Sequence, residues 1–185
     1  MPARTNTAAS VALYTVGAIF IVPMAIGVLM VNSTAHRNDH ANQVSRDIAS
    51  MYAQGLDFSN RGNQNIALNV AEGLGLNVRD GKGVLILSRI RVVQEADCSS
   101  PACANKGYPV VTQRFVIGRP TLRASSFGTP ASIDVATGNV RNWSSDVSAR
   151  AQDFPESLKP GEFIYAVECY LASADSPGLY SRAMF

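Results

Sequence analysis

The ten residues VLILSRIRVV, Val84 to Val93, decide the fold. They are rich in β-branched side chains and follow the turn-forming cluster Asp80-Gly81-Lys82-Gly83, so they read as a strand. Two further segments share that character. Tyr108 to Ile117, YPVVTQRFVI, is closed by Gly118, and Phe163 to Leu171 reads FIYAVECYL. Gly128, Pro130, Gly138, Pro155, Pro160 and Gly161 punctuate the loops between them, with one short strand expected near Ser132–Val135. Strands joined by loops, without long intervening helices, predict an antiparallel sheet.

Upstream of the strands the hydrophobic period changes. Ala41, Val44, Ile48, Met51, Tyr52, Gly55 and Leu56 recur every three or four residues, with Gln43, Arg46 and Asp47 between them. This is the pattern of an amphipathic helix, whose stripe packs on its own domain or on a neighbouring subunit. Gly62-Asn63 marks a turn, and Asn65 to Leu74 predicts a short helix presenting Ile66, Val70 and Leu74.

Further towards the N-terminus, Val11 to Val31 reads VALYTVGAIFIVPMAIGVLMV and carries no charge. As a helix it would extend roughly 30 Å, the thickness of a bilayer's hydrocarbon core. The resulting expectation is α+β, with a single N-terminal transmembrane helix, its amphipathic extension and a small exported domain built on the antiparallel sheet. The boundaries are 1–10 for a short cytoplasmic N-terminus, 11–31 for the membrane helix, 32–58 for the extension and 59–185 for the exported domain. Arg4 precedes the run without any acid, while Arg37, Asp39, Arg46 and Asp47 follow it, which favours a cytoplasmic N-terminus. A cleavable signal peptide is the competing reading, with Ser33-Thr34-Ala35 as the small-residue site, although the run is longer than the usual apolar core of such a peptide. Gly17, Pro23 and Gly27 are the candidate helix-packing positions, since small residues let membrane helices approach closely.

The remaining chemistry is sparse. A net charge of +2 and a pI near 8.5 give no argument for a nucleic-acid partner. Cys98 and Cys103 flank a polar loop, CSSPAC, and form a possible disulfide in an oxidising compartment; two reduced loop thiols are the alternative. Cys169 lies in an apolar stretch and reads as a small buried side chain. His36 and His40 have the i, i+4 spacing of a helical metal pair, but Arg37 stands where a zincin needs Glu, so they read as a solvated helix start. Gly73-Leu74-Gly75 and the Asp80–Gly83 cluster fit neither a dinucleotide fingerprint nor a phosphate loop. Glu168 is the one acid within an apolar strand, and its default orientation is outward. No catalytic residue, metal, cofactor or small-molecule substrate is indicated.

The order GKGVLILSRIRVV, a cysteine loop, YPVVTQRFVIGRP, SSFGTP and LKPGEFIYAVECYL, preceded by an apolar stretch containing Pro23, resembles the TadE-like pseudopilins of the tight-adherence (Flp type IVc) pilus system. The closest local match is PGE followed by an apolar strand ending in Glu168-Cys169-Tyr170. Leu13 to Gly17 holds no acid where the family usually carries a Glu. The resemblance implies a non-enzymatic, single-pass protein of the bacterial inner membrane, its C-terminal domain in the periplasm or outside the cell. Its partners would be the lipid bilayer and other membrane or pilus subunits, met through the N-terminal helix. The alternatives are an accessory subunit of another membrane complex and an anchored ligand-binding or sensor module.

Overall fold

The computed structural model describes Met24 and residues 36–73, 78–98, 103–154, 158–172 and 178–185. The chain divides into two compact units, Met1–Arg37 and Asn38–Phe185, and the second holds nearly all the described residues. Its frame is a four-stranded antiparallel sheet of β1 (Gly83–Val92), β2 (Pro109–Gly118), β3 (Phe163–Leu171) and β4 (Leu179–Met184), in the order β2-β1-β3-β4. β1 is central, flanked by a strand on each side and covered on both faces. A strand in that position needs a continuous apolar run, not an alternating one, and VLIL supplies it. Ser88 interrupts the run because it faces the buried guanidinium of Arg114, whose Nε donates to Ser88 Oγ at 3.1 Å.

One face of the sheet is covered by two helices. The described part of the first, α1, occupies residues 36–53. The second, α2, is Arg61–Gly73. Ala41, Val44, Ile48 and Tyr52 of α1 and Ala67 and Ala71 of α2 pack on Leu85, Leu87, Phe115, Ile117, Val167 and Cys169. α1 is also fastened to β4. Ser45 and Ser181 share a buried hydroxyl–hydroxyl bond of 2.6 Å, and Ser181 donates to the Ala41 carbonyl at 2.8 Å. The stripe of α1 therefore packs on its own domain.

The opposite face is covered mainly by loop, with one short 3-10 turn at Val147–Ala149. Phe127, Val140 and Ala149, from the long β2–β3 connection, close over Ile90, Val93, Val110, Val111 and Ala166. That connection is held to the edge of β2 by isolated bridges, Gln113 to Asn139 and Val110 to Arg150. Gly138 makes the close approach possible. Its φ is +68°, and an added Cβ would lie 2.5 Å from the Phe115 ring. The pairing of β1 with β2 shifts between Arg89 and Ile90, a bulge on the β2 side at Thr112.

Several expectations need correction. Among the described residues no helix is long and apolar enough to cross a membrane. The α+β class with an N-terminal transmembrane helix is therefore replaced by a four-stranded antiparallel sheet with two helices on one face. The stretch 11–31, apart from Met24, lies outside the described residues. Helical structure in the expected 32–58 extension stops at residue 53, and Gly55, at φ +92°, begins the turn. Gly62-Asn63 is not a turn but the first turn of α2, with Asn60 Oδ1 accepting from the Gly62 N–H at 2.7 Å. Of the expected face, Val70 packs partly buried on the core but Ile66 is 42% exposed; the fully buried positions of α2 are Ala67 and Ala71, because small side chains bring the helix closest to the core. Near Ser132–Val135 there is only a single bridge, Ile133 to Val140. β4 has no counterpart among the sequence expectations.

Candidate functional site

Two polar assemblies stand out, one open and one closed. The open one is a groove of about 460 Å³ on the helical face of the sheet. α1 ends at residue 53 and the chain turns away at Gly55, so the adjoining end of the sheet is left uncovered. Arg89, Gln113 and Tyr165 sit side by side there, paired across β1, β2 and β3. Tyr52 forms the inner end of the floor, its ring edge-on to Tyr165 with centroids 4.9 Å apart. Leu56, Asp57 and Ser59 supply one wall; Thr137 and Asn139 supply the other.

The groove is organised by hydrogen bonds. Tyr52 Oη donates to Gln113 Oε1 at 2.9 Å, and Gln113 Nε2 donates to the Thr137 carbonyl at 2.9 Å. Arg89 Nε donates to Thr112 Oγ1 at 3.2 Å. The Ser59 hydroxyl and backbone N–H both donate to Asp57, at 2.7 and 2.9 Å, and hold its carboxyl below the usual value.

Burial pushes the Tyr52 phenol well above its ordinary pKa, with the nearby Arg89 charge acting in the opposite direction. A raised acid keeps its proton in the folded chain at a pH where the unfolded chain has lost it. Its contribution to stability is thus complete below the ordinary tyrosine value, about 10, and falls as pH rises above it. Arg114, pushed down to about 10 mainly by burial, acts in the opposite sense. Comparing Tyr52→Phe with the parent isolates the tyrosine. At neutral pH the variant should lose about 1 kcal/mol with the bond to Gln113. Between about pH 9 and 11 the parent's urea midpoint should fall more steeply than the variant's; parallel slopes would refute the assignment.

The closed assembly lies on the other face. Glu168 is 2% exposed, against the expected outward orientation. The reason is register: Glu168 pairs with Ile86, so both point beneath the β2–β3 connection and not towards solvent. Its carboxylate accepts from the Ser125 hydroxyl, from the Ser126 N–H at 2.8 Å and from Tyr180 Oη at 2.8 Å. Arg114, on the same face, donates to the Gly128 carbonyl as well as to Ser88, and the Glu168 charge helps keep it protonated. Burial, with the bond to Glu168 among the contributions, raises the Tyr180 phenol above its usual value. The assembly ties residues 125–128 to β1, β2, β3 and β4. Glu168 and Arg114 are buried within it, and its chemistry is that of a structural clasp.

Of the residues singled out in the sequence, Tyr52, Gly55 and Leu56 of the amphipathic stripe line the groove, while Cys98 and Cys103 do not. Gly17, Pro23 and Gly27 lie outside the described residues. The sulfurs of Cys98 and Cys103 are bonded, 2.05 Å apart, and the pair packs against the cluster on the opposite face. Cys169 is a buried free thiol. Among the described residues, no group of His, Cys, Asp and Glu side chains is placed to hold a metal ion. The groove as a site was missed because its residues come from five separate segments, with no local spacing to join them. The signal available was the pair of cations, Arg89 and Arg91, inside a mostly apolar strand.

No protein-family model, curated protein or solved structure matches the chain.

Proposed function

We propose that this chain is a non-enzymatic, membrane-associated, pseudopilin-like component of a pilus or secretion assembly in the bacterial cell envelope. The observation that carries the reading is a succession along the chain. An uncharged stretch, 11–31, comes first; a helix whose apolar stripe lies on an antiparallel sheet follows it. The described domain contributes polar clasps and packing around that sheet. The cysteine loop and the segments quoted for the TadE-like resemblance add support, and both belong to the same domain. The partners in this reading are the bilayer and neighbouring envelope subunits, engaged through the N-terminal stretch.

The test is recovery of partner subunits with the full-length chain. The parent should sediment with membranes and be released by detergent, bringing its partners with it. Gly17→Leu and Gly27→Leu should reduce that recovery severalfold while leaving membrane association intact, because leucine is compatible with lipid but blocks close approach. A parent found in the soluble fraction without detergent, or glycine variants that recover partners like the parent, would overturn the reading.

A further inference from the structure

We propose that the groove between α1, the sheet end and the 137–139 loop is a binding site for a carboxylate flanked by hydroxyl or amide groups, held by Arg89. This goes beyond the assembly role and does not depend on it. The argument starts from two neighbouring arginines on β1. Arg89 and Arg91 both stack on Phe163, with guanidinium carbons 5.3 and 4.9 Å from the ring centroid. Arg91 is neutralised by Asp97, Nη2 to Oδ2 at 2.8 Å. Arg89 has no such acid among the described residues: its one polar partner is the neutral Thr112 hydroxyl, taken by Nε. Its two terminal nitrogens are left for something else. Yet Arg89 is only partly exposed and lies in the floor of a groove of about 460 Å³, within the range of small-molecule sites.

A half-buried guanidinium held by stacking presents a planar fork, the geometry that suits a carboxylate. The rest of the lining narrows the class. Gln113 is already locked by Tyr52 and Thr137, so the floor is ordered before a ligand arrives. Tyr165 and Asn139 line the same space. They suit hydroxyl or amide groups beside the carboxylate, not a purely apolar acid. The lone acid in the lining, Asp57, is engaged by Ser59. Two sources carry this chemistry: an acidic sugar, and the C-terminal carboxylate of a peptide.

The experiment titrates the detergent-solubilised full-length chain with four probes and follows groove resonances by NMR. D-glucuronate is set against neutral D-glucose, and N-acetylglycine against N-acetylglycinamide. The expected result is saturable binding of at least one acid, with its neutral counterpart at least about tenfold weaker, as loss of a charge-assisted bidentate contact requires. Which acid binds identifies the source. Arg89→Gln should weaken the acid about tenfold or more, and Arg89→Lys should recover only part, because the ammonium keeps the charge and loses the fork. Asn139→Asp, on an exposed wall, should also weaken the acid by adding a repelling charge while leaving the fold intact. Failure of both acids to bind, equal binding of acid and neutral partner, or an unaltered affinity in both Arg89→Gln and Asn139→Asp would overturn the proposal.

Discussion

Glu168→Ala should lower the stability of the domain by about 3–5 kcal/mol, the cost of removing one partner from a buried charged cluster. For a domain of this size that corresponds to a fall of roughly 10 °C in the unfolding midpoint. The loss has two parts. Ser125, Ser126 and Tyr180 each lose an acceptor at a site where water does not readily replace it. Arg114, 5% exposed, loses the negative charge that offsets its desolvation. Glu168→Gln separates the two. It preserves shape and one acceptor oxygen, keeps most of the hydrogen bonds and removes only the charge, so about 1–2 kcal/mol should be lost. Thermal unfolding followed by far-ultraviolet circular dichroism ranks the three proteins. An alanine variant within about 1 kcal/mol of the parent would show that the clasp is not a stability element.

Glu168 also shows where sequence reasoning stops. Its strand was legible, because FIYAVECYL and VLILSRIRVV concentrate β-branched and aromatic residues between turn signals. Its orientation was not. A strand covered on one face would expose every second residue, but here the β2–β3 connection covers the face that was expected to be wet. That connection has almost no periodic signal, so its role as a lid over the sheet cannot be read locally. β4 was missed for a related reason. LYSRAM is short and mixed, and it becomes a strand through its pairing with β3. The amphipathic stripe of α1 was clear, since Ala41, Val44, Ile48 and Tyr52 all reach the core. The helix ended earlier than expected because Gly55 takes a left-handed conformation, and that early end is what opens the groove. The uncharged stretch 11–31 remains the strongest feature of the sequence, and it lies almost wholly outside the described residues.

Phe58→Ala should be as severe as Glu168→Ala, by a different mechanism. Phe58 lies between α1 and α2, yet it is fully buried and is among the largest wholly enclosed side chains of the domain. It meets Tyr52 edge-on with centroids 5.6 Å apart, and its centroid is 6.5 Å from that of Phe115. The turn is drawn inward around it. Asn63 Nδ2 donates to the Asp57 carbonyl at 2.7 Å and Gln64 Nε2 to the Phe58 carbonyl at 2.8 Å, so the backbone remains satisfied while the ring is buried. Truncation to alanine leaves a cavity that two helices and a sheet cannot collapse to fill, at a cost of about 3–5 kcal/mol. Phe58→Leu keeps most of the volume and should cost less than about 1.5 kcal/mol. The consequence extends to function, because the same turn carries Leu56, Asp57 and Ser59 to the wall of the groove. Urea unfolding at neutral pH supplies the stability ranking. Amide exchange of residues 55–60 supplies the local one, and it should quicken in the alanine variant before the strands do. Uniform acceleration across β1 and β3 instead would mean that Phe58 supports the whole core and has no special hold on the groove wall.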